Sequence, residues 1–250
     1  MRIFSVSSLI LFFSLAAAAQ KAPEAVPARQ LKKTPAIAVS TKTAAAQIPA
    51  SDPAVERAKK VLAKLEAWDA NLQTLKAVFT QEINFTEAGL KQSVEGSLQY
   101  VRPNFLRIEH SKPASQLVVT DKTDIWIYKP GDKQAVRTTW NAWRRTQDQN
   151  FSGILDFGNY SSLAANNTAA ITEDNKDGLI TLVLTPRSGN AYALTLRLSA
   201  TDYFPVEAEL NVDSTIVKTR LLKADRNSPL DKGIFNFSPP KGTEVLELKN

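Results

Sequence analysis

From Ser51 onward the apolar positions first keep a helical period and then alternate, and this change organises the chain. In "SDPAVERAKKVLAKLEAWDANL", Val55, Ala58, Leu62, Leu65, Trp68 or Asp69, and Leu72 recur at steps of three and four residues. Asp52 stands as N-cap, Pro53 at the first helical position and Glu56 in the first turn, so an amphipathic helix starts here. Arg57, Lys60, Lys64 and Asn71 take its opposite face. A helix of this kind must lie on something apolar.

Beyond this helix the chain is nearly all β. Ala77, Phe79, Ile83 and Phe85 share one parity, as do Val94, Leu98 and Tyr100. "QLVVTD" and "DIWIYKPGD" read as short strands, with Pro130-Gly131-Asp132 closing a hairpin into "KQAVRT". Trp126 and Tyr128 share a face, assigned to the interior, which leaves Ile125 and Ile127 for the other side. "AITEDNKDGLITLVL" is a hairpin around Asp177-Gly178. Further on, Tyr192, Leu194, Leu196 and Leu198 oppose Thr195 and Arg197, and Val206, Ala208, Leu210 and Val212 oppose Glu207, Glu209 and Asn211. About ten antiparallel strands, each with a dry and a wet face, must curl to cover the dry one. A strongly curved sheet or incomplete barrel, with the N-terminal helix across its concave side, is the economical solution.

Residues 139 to 166 interrupt the alternation. They hold Trp140, Trp143, Phe151, Ile154, Leu155, Phe157 and Tyr160, and read as one or two short helices that cap the open side of the barrel or plug its end. At the other extreme, residues 1 to 19 combine Arg2, an apolar run from Ile3 to Leu15 and small residues at Ala17 to Ala19. That is the pattern of a secretory signal peptide cleaved near Ala19. Residues 20 to 50, with four prolines, no aromatic residue and no hydrophobic period, read as a flexible Ala/Pro/Lys-rich linker. The folded domain is expected over 51 to 250.

Composition narrows the chemistry. The chain has 250 residues, a formal charge of +6, one histidine and no cysteine. Without cysteine there is neither a disulfide nor the lipidated Cys of a bacterial lipoprotein, so a soluble exported domain must rely on its own core. The basic residues are scattered, with doublets at Lys32-Lys33, Lys59-Lys60 and Arg144-Arg145, and form no stripe of the kind nucleic acid demands. His110 lies in a strand with no nucleophile motif near it and reads as a packing residue. The pairs Asp121/Asp124 and Asp174/Asp177 flank turns, where Asp serves the backbone. With nine glycines and no glycine-rich phosphate loop, the sequence offers no catalytic site, no metal site and no cofactor site. It favours a binder. An incomplete barrel lined with Leu, Val, Phe and Tyr suits aliphatic chains, but periodicity leaves open whether those side chains line a cavity or fill each other's space.

One stretch resists a purely structural account. "YVRPNFLRIEH" places Arg102 and Pro103 at the hinge of two apolar strands, where a solvated turn arginine is the ordinary reading.

Taken together, "LKAVFTQEINF", "VEGSLQYVRPNFLRIEHSKPASQLVVTDKTDIWIYKPGDKQAV" and "FNFSPPKGTEVLEL" resemble the LolA family of periplasmic lipoprotein carriers. The likeness rests on Phe79-Thr80-Gln81, Gly96, Arg102-Pro103-Asn104, Pro113, Gln116, Asp121, Trp126 and Tyr128 before Pro130, Gln134, and the ending from Phe235 to Gly242. It covers about residues 54 to 250. The chain departs from the family at Ile108, usually aromatic, at Lys122, usually glycine, and over much of 139 to 166.

The resemblance implies an unclosed antiparallel β-barrel of about eleven strands covered by helices, a mainly β fold with an α lid. Its cavity for acyl chains would be lined by Phe79, Ile83, Leu98, Tyr100, Leu106, Ile108, Trp126, Tyr128, Leu194, Leu196, Val206 and Leu210. The lid would present Trp140, Trp143, Phe151, Ile154, Leu155 and Phe157, and Arg102 would latch it through hydrogen bonds to lid backbone. The protein would be a periplasmic monomer without enzymatic activity. It would take acylated lipoproteins from an inner-membrane lipoprotein-releasing transporter to an outer-membrane acceptor, touching membranes only transiently. Rival uses of the same fold are the anchored acceptor, which needs a Cys after its leader, a lipoprotein-binding sensor with a second C-terminal domain, and a carrier of another amphiphile such as a glycolipid.

Overall fold

The computed structural model describes residues 52–121, 123–142, 157–158, 160–188 and 192–248. The signal-peptide and linker readings for 1–19 and 20–50 lie outside these residues.

Helix α1 spans Pro53–Asn71 and begins as its sequence demands: the Asp52 side chain accepts from the Ala54 amide at 2.9 Å and Pro53 occupies the first turn. Its buried stripe is Ala58, Val61, Leu65 and Asp69. The stripe is rotated from the one read in the sequence, because Val55 is exposed and Val61, not Leu62, is at the centre. Both rows satisfy the same period, and only the packing partner chooses between them.

The sheet is built from twelve strands: β1 (Thr74–Phe85), β2 (Leu90–Val101), β3 (Phe105–Lys112), β4 (Gln116–Thr120), β5 (Asp124–Lys129), β6 (Gln134–Thr139), β7 (Asn167–Lys176), β8 (Leu179–Pro186), β9 (Tyr192–Ser199), β10 (Pro205–Val212), β11 (Thr215–Arg226) and β12 (Glu244–Glu247). The short helix α2 (Tyr160–Asn166) precedes β7, and residues 140–142 are helical. All twelve strands form one sheet in the order β12-β6-β5-β4-β3-β2-β1-β11-β10-β9-β8-β7. The ends of that order do not pair, so the barrel is unclosed. It is antiparallel except for β12, which joins β6 in parallel.

Register shifts between Val78 and Phe79, between Glu95 and Gly96, and between Pro205 and Glu207 mark bulges that bend long strands. Gly96 is needed where β2 passes β3 and β1. A Cβ there would stand 2.5 Å from the Glu109 carbonyl oxygen and 2.8 Å from the Phe79 ring.

Register separates the two faces. On the inner face Phe79 neighbours Leu221, Leu98 neighbours Ala77 and Ile108, and Leu194 and Leu196 neighbour Leu210 and Ala208. Phe79, Leu98, Ile108, Leu182, Leu194 and Leu196 are essentially inaccessible to solvent. The outer face of β9 to β11 is wet, with Glu207 pairing Arg197 at 3.2 Å and Arg220 at 2.8 Å, and Glu209 pairing Lys218 at 3.0 Å. Near the open edge, Arg57 of α1 reaches Asp174 of β7 through two bonds of 2.8 and 2.9 Å. Such exposed pairs contribute little stability but fix an orientation.

At the other end of the sheet the outer face is not wet. Val101, Val119 and Phe235 form a buried cluster with Phe105, Leu117, Trp126, Leu230, Ile234 and Phe237 around them. The C-terminal segment, with its 3-10 turn Lys232–Phe235, lies over this patch. The Arg107 guanidinium donates to the Ile234 carbonyl at 2.9 Å.

Candidate functional site

Arg102 occupies the turn between β2 and β3, where its amide donates to the Gln73 carbonyl at 2.8 Å. Its guanidinium does not point into bulk solvent. Nη1 donates to the carbonyl oxygens of Asp69 and Ala70, each at 2.8 Å, and of Leu72 at 3.3 Å. Asp69 and Ala70 belong to the last turn of α1 and Leu72 is its C-cap, where carbonyls lack the partners that a further turn of helix would supply. The last turn of α1 holds no basic residue of its own, so a cation from the sheet completes the helix end and complements its partial negative charge.

Asp69 extends this contact in the other direction. The residue is 4 % exposed. One carboxylate oxygen accepts from the Gly158 amide at 2.7 Å, the other from the Tyr160 amide at 3.2 Å. Asp69 therefore joins the sheet turn, through its main chain, to the end of the 139–166 segment, through its side chain. A buried carboxylate at the negative end of a helix is badly placed unless it has such partners.

Gly158 closes the same knot. Its φ is +87°, and a Cβ there would collide with the Tyr100 hydroxyl, which itself reaches the Pro103 carbonyl at 3.3 Å. An aromatic group surrounds the polar contacts. Trp68 meets Phe157, Tyr160 and Phe204 edge-on at 6.4, 6.4 and 5.3 Å, and Tyr100 lies 6.0 Å from Phe157.

Of the twelve side chains read as lining, Phe79, Ile83, Leu98, Tyr100, Ile108, Leu194, Leu196 and Leu210 are buried on the inner face, with Leu106 half-buried beside Tyr100. Three are placed differently. Trp126 and Tyr128 belong to the outer face, where Phe237 lies 5.6 and 5.5 Å from their rings, while Ile125 is buried inside. Parity alone cannot say which side of a strand is the interior when both sides are apolar. Val206 falls in the β10 bulge and is half-buried, and Pro205 takes the buried place beside Leu198.

Of the lid positions, Phe157 is buried and Trp140 half-buried, whereas Trp143, Phe151, Ile154 and Leu155 lie outside the described residues. Arg102 meets the end of α1 rather than the 139–166 segment among the described residues. Asp69 is legible in the sequence only as a member of the α1 face. The signal that singles it out is a carboxylate at an apolar position of an amphipathic helix.

His110 is buried edge-on to Phe79 at 5.9 Å, and burial lowers its pKa from the usual 6.5 to about 4. Among the described residues no group of three His, Asp or Glu could hold a metal ion. Two open hollows of about 440 and 700 Å³ lie on the outer face, the first between Glu82, Glu207 and Lys218, the second beside Arg107, Tyr128 and Phe237. The charged lining of the first does not suit an acyl chain.

A model of the family "Outer membrane lipoprotein carrier protein LolA" matches residues 70–238. The outer-membrane lipoprotein carrier protein of Chromobacterium violaceum is 30 % identical over 192 residues, 74 % of this chain and 86 % of that protein. The protein of the same name from Dechloromonas aromatica is 31 % identical over 179 residues, 70 % of this chain and 82 % of that one. Among solved structures, an uncharacterised conserved protein of Thermus thermophilus superposes with a TM-score of 0.49 at 14 % identity, covering 77 % of this chain and 99 % of the other.

Proposed function

Because the chain belongs to the LolA family of outer membrane lipoprotein carrier proteins, we propose that it binds the acyl chains of lipoproteins between the inner sheet face and its helical cover. It then passes them across the periplasm, from an inner-membrane releasing transporter to an outer-membrane acceptor, without chemistry and as a monomer. The observation that carries this reading is the seam at Asp69 and Arg102. A cover meant to stay closed is most cheaply sealed with apolar side chains, since buried charges cost several kcal/mol unless fully paired. Here the seam is made of a guanidinium, a carboxylate and backbone groups, which water can satisfy when the cover lifts.

Magnitudes favour a cover that resists its cargo. An acyl chain of about fifteen methylenes, at about 0.8 kcal/mol each, gains on the order of 12 kcal/mol on burial. Three such chains fully buried would exceed the non-covalent ceiling of roughly 20 kcal/mol, and release would be too slow for a carrier. Polar contacts that re-form when the cargo leaves offset part of that gain.

The test uses a synthetic triacylated lipopeptide, its deacylated counterpart and a free glycolipid. The acylated lipopeptide should stay in solution as an equimolar complex and move intact to acceptor vesicles, while the deacylated one should not bind. Preferential uptake of the glycolipid, or hydrolysis of the lipopeptide, would overturn the reading.

A further inference from the structure

We propose that Gln81 and Thr219, with Gln92 beside them, form a hydrogen-bonding subsite on the inner sheet face for the ester carbonyl groups that fasten acyl chains to the cargo. The subsite rests on the carrier reading and names what this face recognises besides hydrocarbon.

Gln81 is an unusual residue for its place. It ends the stretch Phe79-Thr80-Gln81 and shares the parity of Ala77, Phe79 and Ile83, all of them buried. Thr80 and Glu82, on the opposite parity, line the outer hollow beside Lys218. An amide at a dry position destabilises the fold unless it finds partners. Register supplies one. Gln81 lies opposite Thr219 of β11, and its Nε2 donates to the Thr219 hydroxyl at 3.0 Å. Thr219 is buried, with the small Ala208 opposite it on β10. On the other flank Ile83 faces Gln92 of β2, which makes Gln92 a diagonal neighbour of Gln81 on the same face. Gln92 is half-buried between the exposed Lys91 and Ser93, as an inner-face position should be.

The bond between Gln81 and Thr219 leaves hydrogen-bonding capacity over. A primary amide has two N–H donors, and a hydroxyl that accepts one bond keeps its own proton to donate. Among the described residues neither side chain makes another hydrogen bond, so one amide N–H and the Thr219 O–H remain. Gln81 is only half-buried although its face points inward, so the pair borders accessible space.

The neighbours constrain what suits that space. Val94 and Ala208, which lie opposite Gln81 and Thr219, carry no charge, and Phe79 and Ile83 flank Gln81 along β1. A phosphate or carboxylate would be a buried ion without a countercharge. A plain hydrocarbon would cover the spare donors without giving them an acceptor. A ligand that is apolar along its length and carries a neutral carbonyl meets both demands, and a fatty-acid ester is such a ligand. Chains leaving an ester held here have Phe79, Leu98 and Leu221 along the same face.

The experiment compares the full chain with its Gln81→Leu, Thr219→Val and Thr219→Ser variants. Two probes are titrated: the triacylated lipopeptide, and a counterpart whose two ester-linked chains are replaced by ether-linked chains of equal length. The wild type should bind the ester probe roughly five- to fiftyfold more tightly than the ether probe, as expected for one or two net hydrogen bonds. Gln81→Leu and Thr219→Val should bring that ratio close to one while still binding the ether probe. Thr219→Ser keeps the hydroxyl and should preserve the ratio. Urea midpoints of the same variants separate this subsite from a pair that serves the fold alone. Equal binding of both probes by the wild type, or variants that lose stability yet keep the ratio, would overturn the proposal. Binding of neither probe would overturn the carrier reading, and the subsite with it.

Discussion

Nη1 of Arg102 stands 2.8 Å from the main-chain oxygen of Asp69, the residue whose carboxylate receives the amides of Gly158 and Tyr160. A turn arginine on the sheet and the end of the helical cover are thus two bonds apart.

Replacing Arg102 with Leu removes the donor from three carbonyls and puts an apolar side chain at the seam. The closed arrangement should lose about 1.5–3 kcal/mol, the worth of charge-assisted hydrogen bonds. Cargo should then be retained roughly ten- to hundredfold more strongly, with loading intact and transfer slow. Arg102→Lys should fall between, since an ammonium keeps the charge without the planar fork. Parallel loading and transfer assays decide it, and equal transfer in all three proteins would leave Arg102 a helix-capping residue only.

Gly158 offers an independent handle on the same knot. Its φ of +87° is strained for any L side chain, and a Cβ would meet the Tyr100 hydroxyl. Gly158→Ala should weaken the contact between this stretch and the end of α1 by about 1–3 kcal/mol. Tyr100→Phe in the same background should recover part of the loss by clearing the hydroxyl. Hydrogen exchange at the Tyr160 amide measures both, and no recovery would mean that backbone strain, not the collision, dominates.

Much of this architecture is written in local sequence. The α1 start is explicit in Asp52, Pro53 and Glu56, and the β9 alternation appears unchanged in the burial of Tyr192, Leu194, Leu196 and Leu198. The hairpin at Asp177-Gly178 has both residues at positive φ, as such turns require. The departures share one cause, which is that local pattern does not reveal what covers a surface. Trp126 and Tyr128 are apolar because a tail more than a hundred residues later in the chain packs on them, not because they face the interior. The β10 bulge exchanges Val206 for Pro205 by a shift of register that strict alternation conceals. Asp69 stands out only as an acid on an apolar stripe, and what it binds is not legible, because Gly158 and Tyr160 use main-chain amides, which carry no sequence signature.

The tail itself should matter for stability rather than for cargo. Phe237 is half-buried against the rings of Trp126 and Tyr128 on the face opposite Phe79 and Leu98. Phe237→Ala should cost about 1–3 kcal/mol, less than a fully buried Phe because the site is partly open. The melting temperature should drop and Trp126 emission should shift to the red, while lipopeptide loading per folded molecule stays at the wild-type level. A proportionate fall in loading would place the outer patch in the binding machinery after all.

The last prediction concerns pH and the single histidine. His110 lies between Gly96 and Gln116 on neighbouring strands, with the Phe79 ring 5.9 Å away, and burial lowers its pKa from 6.5 to about 4. Folding must therefore keep the imidazole neutral. Above pH 6.5 both folded and unfolded chains hold it neutral, and its contribution to stability does not change with pH. Between 6.5 and about 4 the unfolded chain binds a proton that the folded chain refuses, so stability falls as pH falls. The whole window is worth at most on the order of 3 kcal/mol. Carboxylates held low add a slope of their own only toward the acid end of this window, below about pH 5. Asp174, held below its usual value of 3.8 by the hydrogen bond from Arg57, loses its contribution only at lower pH. In His110→Gln the slope between pH 6.5 and 4 should flatten in urea-unfolding midpoints, with the slope below pH 4 unchanged. Lipopeptide loading and transfer at pH 7.5 should be indifferent to the substitution, as befits a packing residue in a carrier. A variant that keeps the full slope would assign it to another group, and one that abolishes transfer would give His110 a role beyond packing.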